Sequence, residues 1–228
     1  AGRVVRLWSS PAALRTSWTI RGAWLQTGFI IFGLAYALPG FAAFAWLPWN
    51  SSGGVGLAFG WVAAALALVV PLYPGVVLGV IQSIPAWNNA ALPLLFFLSS
   101  LNAGVAVLQL LALGLPVAVD GLRLLAIAGI ILILLLLVTL AVYVEIVRHM
   151  GTAGQASVRL LKSVVFVFGV AVLGLGTPLV ILAVSLNLAD LSQIRIMEAV
   201  SGALVLIGGL LLRRAVVASG VRIPLRSD

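Results

Sequence analysis

The chain has 228 residues, of which 63% are hydrophobic and only 8% charged, with a mean hydropathy of +1.26 and a formal net charge of +8. A water-soluble domain carries about 25% charged residues, so this composition excludes a chain that covers its own surface with solvated groups. With no cysteine and a single histidine, His149, it also excludes disulfides, thiolate nucleophiles, cysteine-ligated iron–sulfur clusters and a haem b held by two of its own histidines.

Residues 1–21 contain four arginines and two tryptophans and lack the apolar core of a signal peptide. They read as a loop before a helix, and further membrane helix is expected upstream. Crossing a bilayer takes about 20 apolar residues. Spans are predicted at about 22–46, 54–84, 90–115, 121–147, 158–188 and 196–219, followed by a tail at 220–228. The second is expected to bend at Pro71 and Pro74, and the fifth near Gly174, Gly176 and Pro178. The fold class is therefore all-α, a polytopic bundle of six transmembrane helices forming a single integral membrane domain. Short connections make consecutive helices antiparallel neighbours. No internal repeat is visible.

The basic residues sort by loop. Arg3, Arg6, Arg15 and Arg21 precede the first span; Arg148, Arg159 and Lys162 follow the fourth; Arg213, Arg214, Arg222 and Arg226 end the sixth or follow it. Only Arg123 and Arg195 fall on the other side. The positive-inside rule places the richer side, and both termini, in the cytoplasm of a multi-pass cell (inner) membrane protein. Loop topology thus accounts for the net charge, and no nucleic-acid partner is needed. Trp46 and Trp49 at one interface, and Trp8, Trp18, Trp24 and Trp87 near the other, form an aromatic belt.

Few residues are equipped for chemistry. Tyr73 lies in an apolar run and is followed by Pro74 and Gly75. Its phenol can donate a hydrogen bond to a quinone carbonyl, or simply bond a backbone carbonyl beside an ordinary kink. Ser99, Ser100 and Asn102 lie in the first half of the third span. They can serve helix–helix contact, and Asn102 can equally serve a ligand. Asp120 and Arg123 share a helix face at the start of the fourth span, either as an interfacial ion pair or as a proton entry or exit group. Glu145 with Arg148 repeats that spacing at the far end, and Glu198 lies one turn beyond Arg195. All these carboxylates are read as sitting near span ends, where snorkelling makes them cheap; they are candidates for a proton pathway. Hydrolase triads, zinc spacings, phosphate loops and nucleic-acid motifs are absent, and no metal site is expected.

The run Tyr73-Pro74-Gly75, Pro85, Trp87-Asn88, Leu92-Pro93-Leu94 and Phe96-Phe97-Leu98-Ser99 through Gly104 resembles the polysulfide-reductase-type, NrfD-like membrane subunits. Ser17-Trp18 with Arg21-Gly22 resembles the entry to that family's third helix, and Gly208-Gly209 through Arg213 with Gly220 its closing helix. The resemblance implies a core of eight helices, two of them missing at the N-terminal end here. It implies no cofactor resident in the chain and a binding site for menaquinone or ubiquinone. It implies two kinds of partner: a four-cluster ferredoxin-like iron–sulfur subunit, and a catalytic subunit that is a molybdopterin enzyme or a multihaem cytochrome. Tyr73 matches the family's quinone-contacting tyrosine, and Asn102 joins it as a quinone-binding candidate. Arg123 matches a basic position linked to proton movement. Arg15, Trp18, Arg21, Trp87 and Asn88 are the candidates for partner docking. In many members the iron–sulfur partner is exported, whereas the charge rule puts this face in the cytoplasm. Either the partner is cytoplasmic, as expected here, or the arginines dock an acidic partner and override the rule. The implied role is that of a quinone-reactive subunit, not catalytic alone, in an anaerobic respiratory complex. The alternatives are a small transporter or channel, or a purely structural anchor.

Overall fold

The computed structural model describes residues 18–163 and 165–221. Among these, six helices are long and apolar enough to cross a membrane, and there is no strand. Inside lipid no water satisfies the backbone, so an apolar chain must close its hydrogen bonds within each segment, as a helix does. The chain divides into two compact units, the first ending at Val77 and the second beginning at Leu78.

The first unit pairs α1 (Trp18–Ala37) with α2 (Gly54–Val69). Small residues set their antiparallel register: Gly28 faces Leu66, and Gly60 faces the Tyr36 ring. Short 3-10 turns at Leu38–Gly40 and Ala42–Phe44 leave α1. The Trp49 indole then donates to the Ala35 carbonyl at 2.9 Å, and Ser51 to the Tyr36 carbonyl at 2.8 Å. At the far end of α2 the helix tightens into a 3-10 turn at Val70–Leu72 and resumes as α3 (Tyr73–Gly79). Pro71 and Pro74 cause this. Neither has an N–H to give the carbonyl four residues back, so the ladder fails twice within one turn.

The second unit contains α4 (Ala91–Leu111), α5 (Val119–Arg148), α6 (Gly151–Leu161), a π-helical run Val165–Gly176 that passes into α7 (Thr177–Ser185), and α8 (Leu191–Ala218). α8 lies against α4, the π-helical run and α7, and α5 covers α4 and α7. The turns at 80–90 are pinned to two helix ends. Tyr143, fully buried on α5, donates to the Ala86 carbonyl at 3.0 Å, and the Trp87 indole donates to the Val216 carbonyl at 3.1 Å.

Span boundaries differ from those predicted. The first helix is already formed at Trp18, the first described residue, and leaves the α-helix at Ala37, so Arg21 lies within it and Trp46 beyond it. The second ends at Gly79 rather than at 84. The segment after α5, expected as a loop, is the separate helix α6 carrying Arg159, and the fifth span begins at Phe166 instead of 158. The sixth begins at Leu191, where Asp190 caps it by accepting from the Ser192 N–H at 2.9 Å. Arg195 and Glu198 therefore lie inside the last helix. The predicted bends at Pro71 and Pro74, and at Gly176 and Pro178, fall where helical geometry changes.

Lipid tails are as apolar as leucine, so helices here associate by close packing. Within the second unit, α8 and the π-helical run approach closely at Gly174 and Gly208: a Cβ on Gly174 would lie 2.5 Å from the Gly208 Cα. Gly208→Leu is expected to destabilise the second unit by about 1–3 kcal/mol or more through overpacking. Gly104→Leu, where a Cβ meets nothing within 4 Å, should stay within about 0.5 kcal/mol. Thermal unfolding midpoints of the two purified variants in the same detergent compare them directly; equal midpoints would remove the tight crossing.

Candidate functional site

In the first unit, the break in α2 delivers Tyr73 to one end of α1. Its hydroxyl donates to the Thr19 carbonyl at 3.2 Å, and its ring lies over Gly22, where any side chain would collide with it. This bond is long for an O–H donor, whose usual separation is about 2.7–2.8 Å. Thr19 lies in the first described turn of α1, so the phenol is held by a carbonyl the helix itself also uses. Trp18 and Arg21 lie on that same turn, with the Arg21 guanidinium 4.7 Å over the Trp18 ring. Of the docking candidates, Arg15 lies outside the described residues. A phenol on a long bond, its ring packed over Gly22, is able to donate to another acceptor.

The second unit holds the other quinone-binding candidate, Asn102, on α4. It is 2% exposed, and its Nδ2 has no hydrogen-bond partner among the described residues. It belongs to a larger feature. Ser99, Asn102, Ala106 and Gln109 recur at intervals of three and four residues and so line one face of α4. α8 runs antiparallel along that face: a Cβ on Gly202 would lie 2.6 Å from the Ala106 oxygen, and one on Gly209 3.7 Å from the Ser99 Oγ. Arg213 of α8 donates to the Ser100 Oγ at 2.8 Å. Gly202 also brings α8 against the Cβ of Gln109, so Glu198, one turn earlier on α8, is at the level of Gln109.

Glu198 is fully buried, and neither of its carboxyl oxygens has a partner among the described residues. The reading of Glu198 as a cheap, snorkelling carboxylate near a span end is thus corrected. The helix starts five residues earlier than expected, and the side chain turns into the bundle. Gln109 Nε2, Ser99 Oγ and Ser201 Oγ are likewise buried without partners. Buried polar groups are nearly always bonded, and each orphan in an apolar interior costs free energy. The two helices that cross at Gly202 and Gly209 carry six such atoms between them, a polar seam in the bundle interior, with the Gln109 Nε2 turned toward Gly129 of α5.

The remaining carboxylates do not join the seam. Asp120 and Arg123 are both exposed at the start of α5, and no salt bridge joins them. Asp120 instead lies in the first turn of α5, where a negative charge suits the helix dipole. Glu145 is exposed and faces Arg148 at 3.7 Å and His149 at 3.5 Å. Arg195 turns away from Glu198 and donates to the Val117 carbonyl at 3.0 Å. Trp87 spends its indole donor on Val216, whereas Asn88 is exposed.

The sequence reading does not single out Gln109, Ser201 or Tyr143, and takes Arg213 only as a topology charge and part of the closing-helix resemblance. For Gln109 a signal existed: it follows Asn102 by seven residues, two helical turns, on the same face. Tyr143 carried none, because its partner is a backbone carbonyl 57 residues away.

A family model described as Polysulphide reductase, NrfD matches residues 2–224, nearly the whole chain. No curated protein and no solved structure matched it.

Proposed function

The chain belongs to the polysulphide reductase NrfD family, a multi-pass membrane subunit, and from that premise we propose that it passes electrons between the membrane quinone pool and an iron–sulfur partner. The family is associated with quinones and usually pairs with iron–sulfur and catalytic subunits; the partners proposed for this chain are a four-cluster ferredoxin-like protein and a molybdopterin or multihaem enzyme. The observation that carries the reading to this chain is Tyr73, a phenol set at a helix break against side-chain-free Gly22. A bound quinone supplies the redox chemistry, interconverting with its quinol by two electrons and two protons. The protein positions the head group and handles the protons. Tyr73 exchanges its weak bond to Thr19 for one to the head-group oxygen. Within the second unit, Glu198, whose buried carboxyl is unpartnered among the described residues, is the group able to accept and release a proton. Trp18 and Arg21 offer a cationic, aromatic surface for the partner.

The purely structural anchor remains the second reading, since the Tyr73 hydroxyl already has an acceptor in Thr19. Binding of a quinone-site inhibitor to the purified complex separates the two. Saturable binding that quinol competes away is expected, and no binding at any inhibitor concentration would leave only the anchor.

Sidedness is tested within the second unit. The chain has no cysteine, so single cysteines label cleanly. Gly114 and Thr152 lie beyond opposite ends of α5, whose 30 residues span roughly 45 Å. Gly114→Cys is expected to label from outside intact cells and Thr152→Cys only after permeabilisation. The reverse pattern would mean that partner docking, rather than the positive-inside rule, places the arginines. Labelling of both from one side would break the span assignment.

A further inference from the structure

The second unit carries a cavity that the quinone reading does not use. It encloses about 340 Å³ between the end of α6, the start of the π-helical run and the last turns of α8. Its walls include Leu160, Phe166, Leu211 and Ala215, with the Ser163 side chain and the Arg214 guanidinium at its polar edge. A second cavity of about 240 Å³ adjoins it along the chain, lined by Arg148, Gln155, Val158, Arg159 and Lys162. The segment 159–163 thus contributes to both.

Charge and shape agree on an occupant. Arg148 is balanced by Glu145, but Arg159, Lys162 and Arg214 are exposed and form no salt bridge among the described residues. α6 is amphipathic. It buries Gly154, Ser157, Val158 and Leu161 against the bundle and turns Thr152, Gln155, Arg159 and Leu160 outward. A short amphipathic helix between two spans lies at the membrane surface, where lipid head groups are. The larger cavity is therefore apolar on its walls with Arg214 at its edge, the adjoining smaller one adds Arg159 and Lys162, and both lie at head-group depth. Basic pockets beside membrane helices have the chemistry that anionic phospholipid head groups complement. A free phosphate would meet the cations but leave the Leu160, Phe166 and Leu211 walls uncovered.

We infer that the two adjoining cavities beside α6 form one binding site for an anionic phospholipid, its phosphate between Arg214 of the larger cavity and Lys162 of the smaller, and an acyl chain laid along Leu160, Phe166 and Leu211. The inference needs only the membrane placement of the chain, so it stands or falls apart from the quinone reading.

The intact purified complex tests it by native mass spectrometry during titration with phosphatidylglycerol, phosphatidylcholine, inorganic phosphate or a short-chain quinone. One phosphatidylglycerol should persist more tightly than phosphatidylcholine, with neither phosphate nor quinone displacing it. The pair Arg214→Gln and Lys162→Gln should weaken that lipid about thirtyfold at unchanged complex mass. Arg214→Lys, which keeps the charge, should retain most of the affinity and shows whether a loss reflects charge or folding. Equal retention of both lipids, an unchanged double variant, a loss in Arg214→Lys as large as in the double variant, or displacement by phosphate or by quinone would each overturn the assignment.

Discussion

Tyr73→Phe is expected to slow quinone-linked turnover of the assembled complex about tenfold to over a hundredfold while the complex still assembles. The estimate follows from one hydrogen bond. A bond to a group at the reacting centre is worth about 1–3 kcal/mol, and each 1.36 kcal/mol is tenfold in rate. The same substitution also removes the 3.2 Å bond to Thr19, a partly exposed contact whose loss costs roughly 0.5–1.5 kcal/mol of stability at most. The two roles separate in the readout. Were Tyr73 only a brace for α1, turnover with quinol and turnover with an artificial dye that bypasses the quinone would fall together, in step with the yield of complex. If it holds the head group, only the quinol reaction falls and the dye reaction is kept. Gly22→Ala gives an independent lever, because a methyl there collides with the Tyr73 ring and must move it. It is expected to impair the quinol reaction with the phenol still present. Wild-type quinol kinetics in both variants would retire Tyr73 as a ligand.

Hydropathy finds helices in this chain because lipid imposes the simplest of patterns, and α5, with its unbroken apolar centre, is the clearest case. The ends are harder to place, for reasons specific to each. Phe41 and Trp46 are apolar enough to extend the first span on paper, yet Pro39 and Gly40 close the helix before them. Ile81 and Ile84 extend the second in the same way, although the chain has already turned to bring Ala86 and Trp87 to their partners. At the last span, Arg195 looks like a boundary charge, but its guanidinium bonds the Val117 carbonyl from inside the helix. The true start is marked by a capping aspartate, Asp190, a signal that hydropathy does not weigh. That one displacement turned Glu198 from an interfacial residue into a buried one.

The candidate site was legible to a different degree. Tyr73 stands out from local sequence alone, because a tyrosine and two prolines within four residues is a break with a purpose or a cost. The seam does not stand out in that way. Its members come from two helices about a hundred residues apart, and only the α4–α8 crossing at Ala106 and Gly202 shows that their polar faces meet. Periodicity could reveal that Ser99, Asn102 and Gln109 share a face; it could not reveal that Glu198 comes to the level of Gln109 on the neighbouring helix.

Glu198→Gln is expected to lower quinone-linked turnover by about a hundredfold or more, within the range for loss of a positioned proton-transfer group. Glutamine keeps the shape and polarity of the side chain, but it cannot take up and release a proton. Assembly and inhibitor binding should therefore be retained, which sets the variant apart from one that merely loosens the α4–α8 crossing. The physical motive is cost. A carboxyl group with both oxygens unpartnered inside a membrane bundle is among the most expensive side chains the chain could place there, and leucine would pack without that penalty. Glu198→Leu supplies the corresponding comparison: it should raise the thermal midpoint of the complex while turnover collapses. A third readout isolates the proton. If Glu198 delivers it, Gln109→Leu, which strips a polar neighbour from the same seam, should slow turnover less than Glu198→Gln does and enlarge the rate difference between water and heavy water. Turnover at the wild-type rate in Glu198→Gln, with the heavy-water effect unchanged in Gln109→Leu, would leave the seam a packing defect with no part in moving protons.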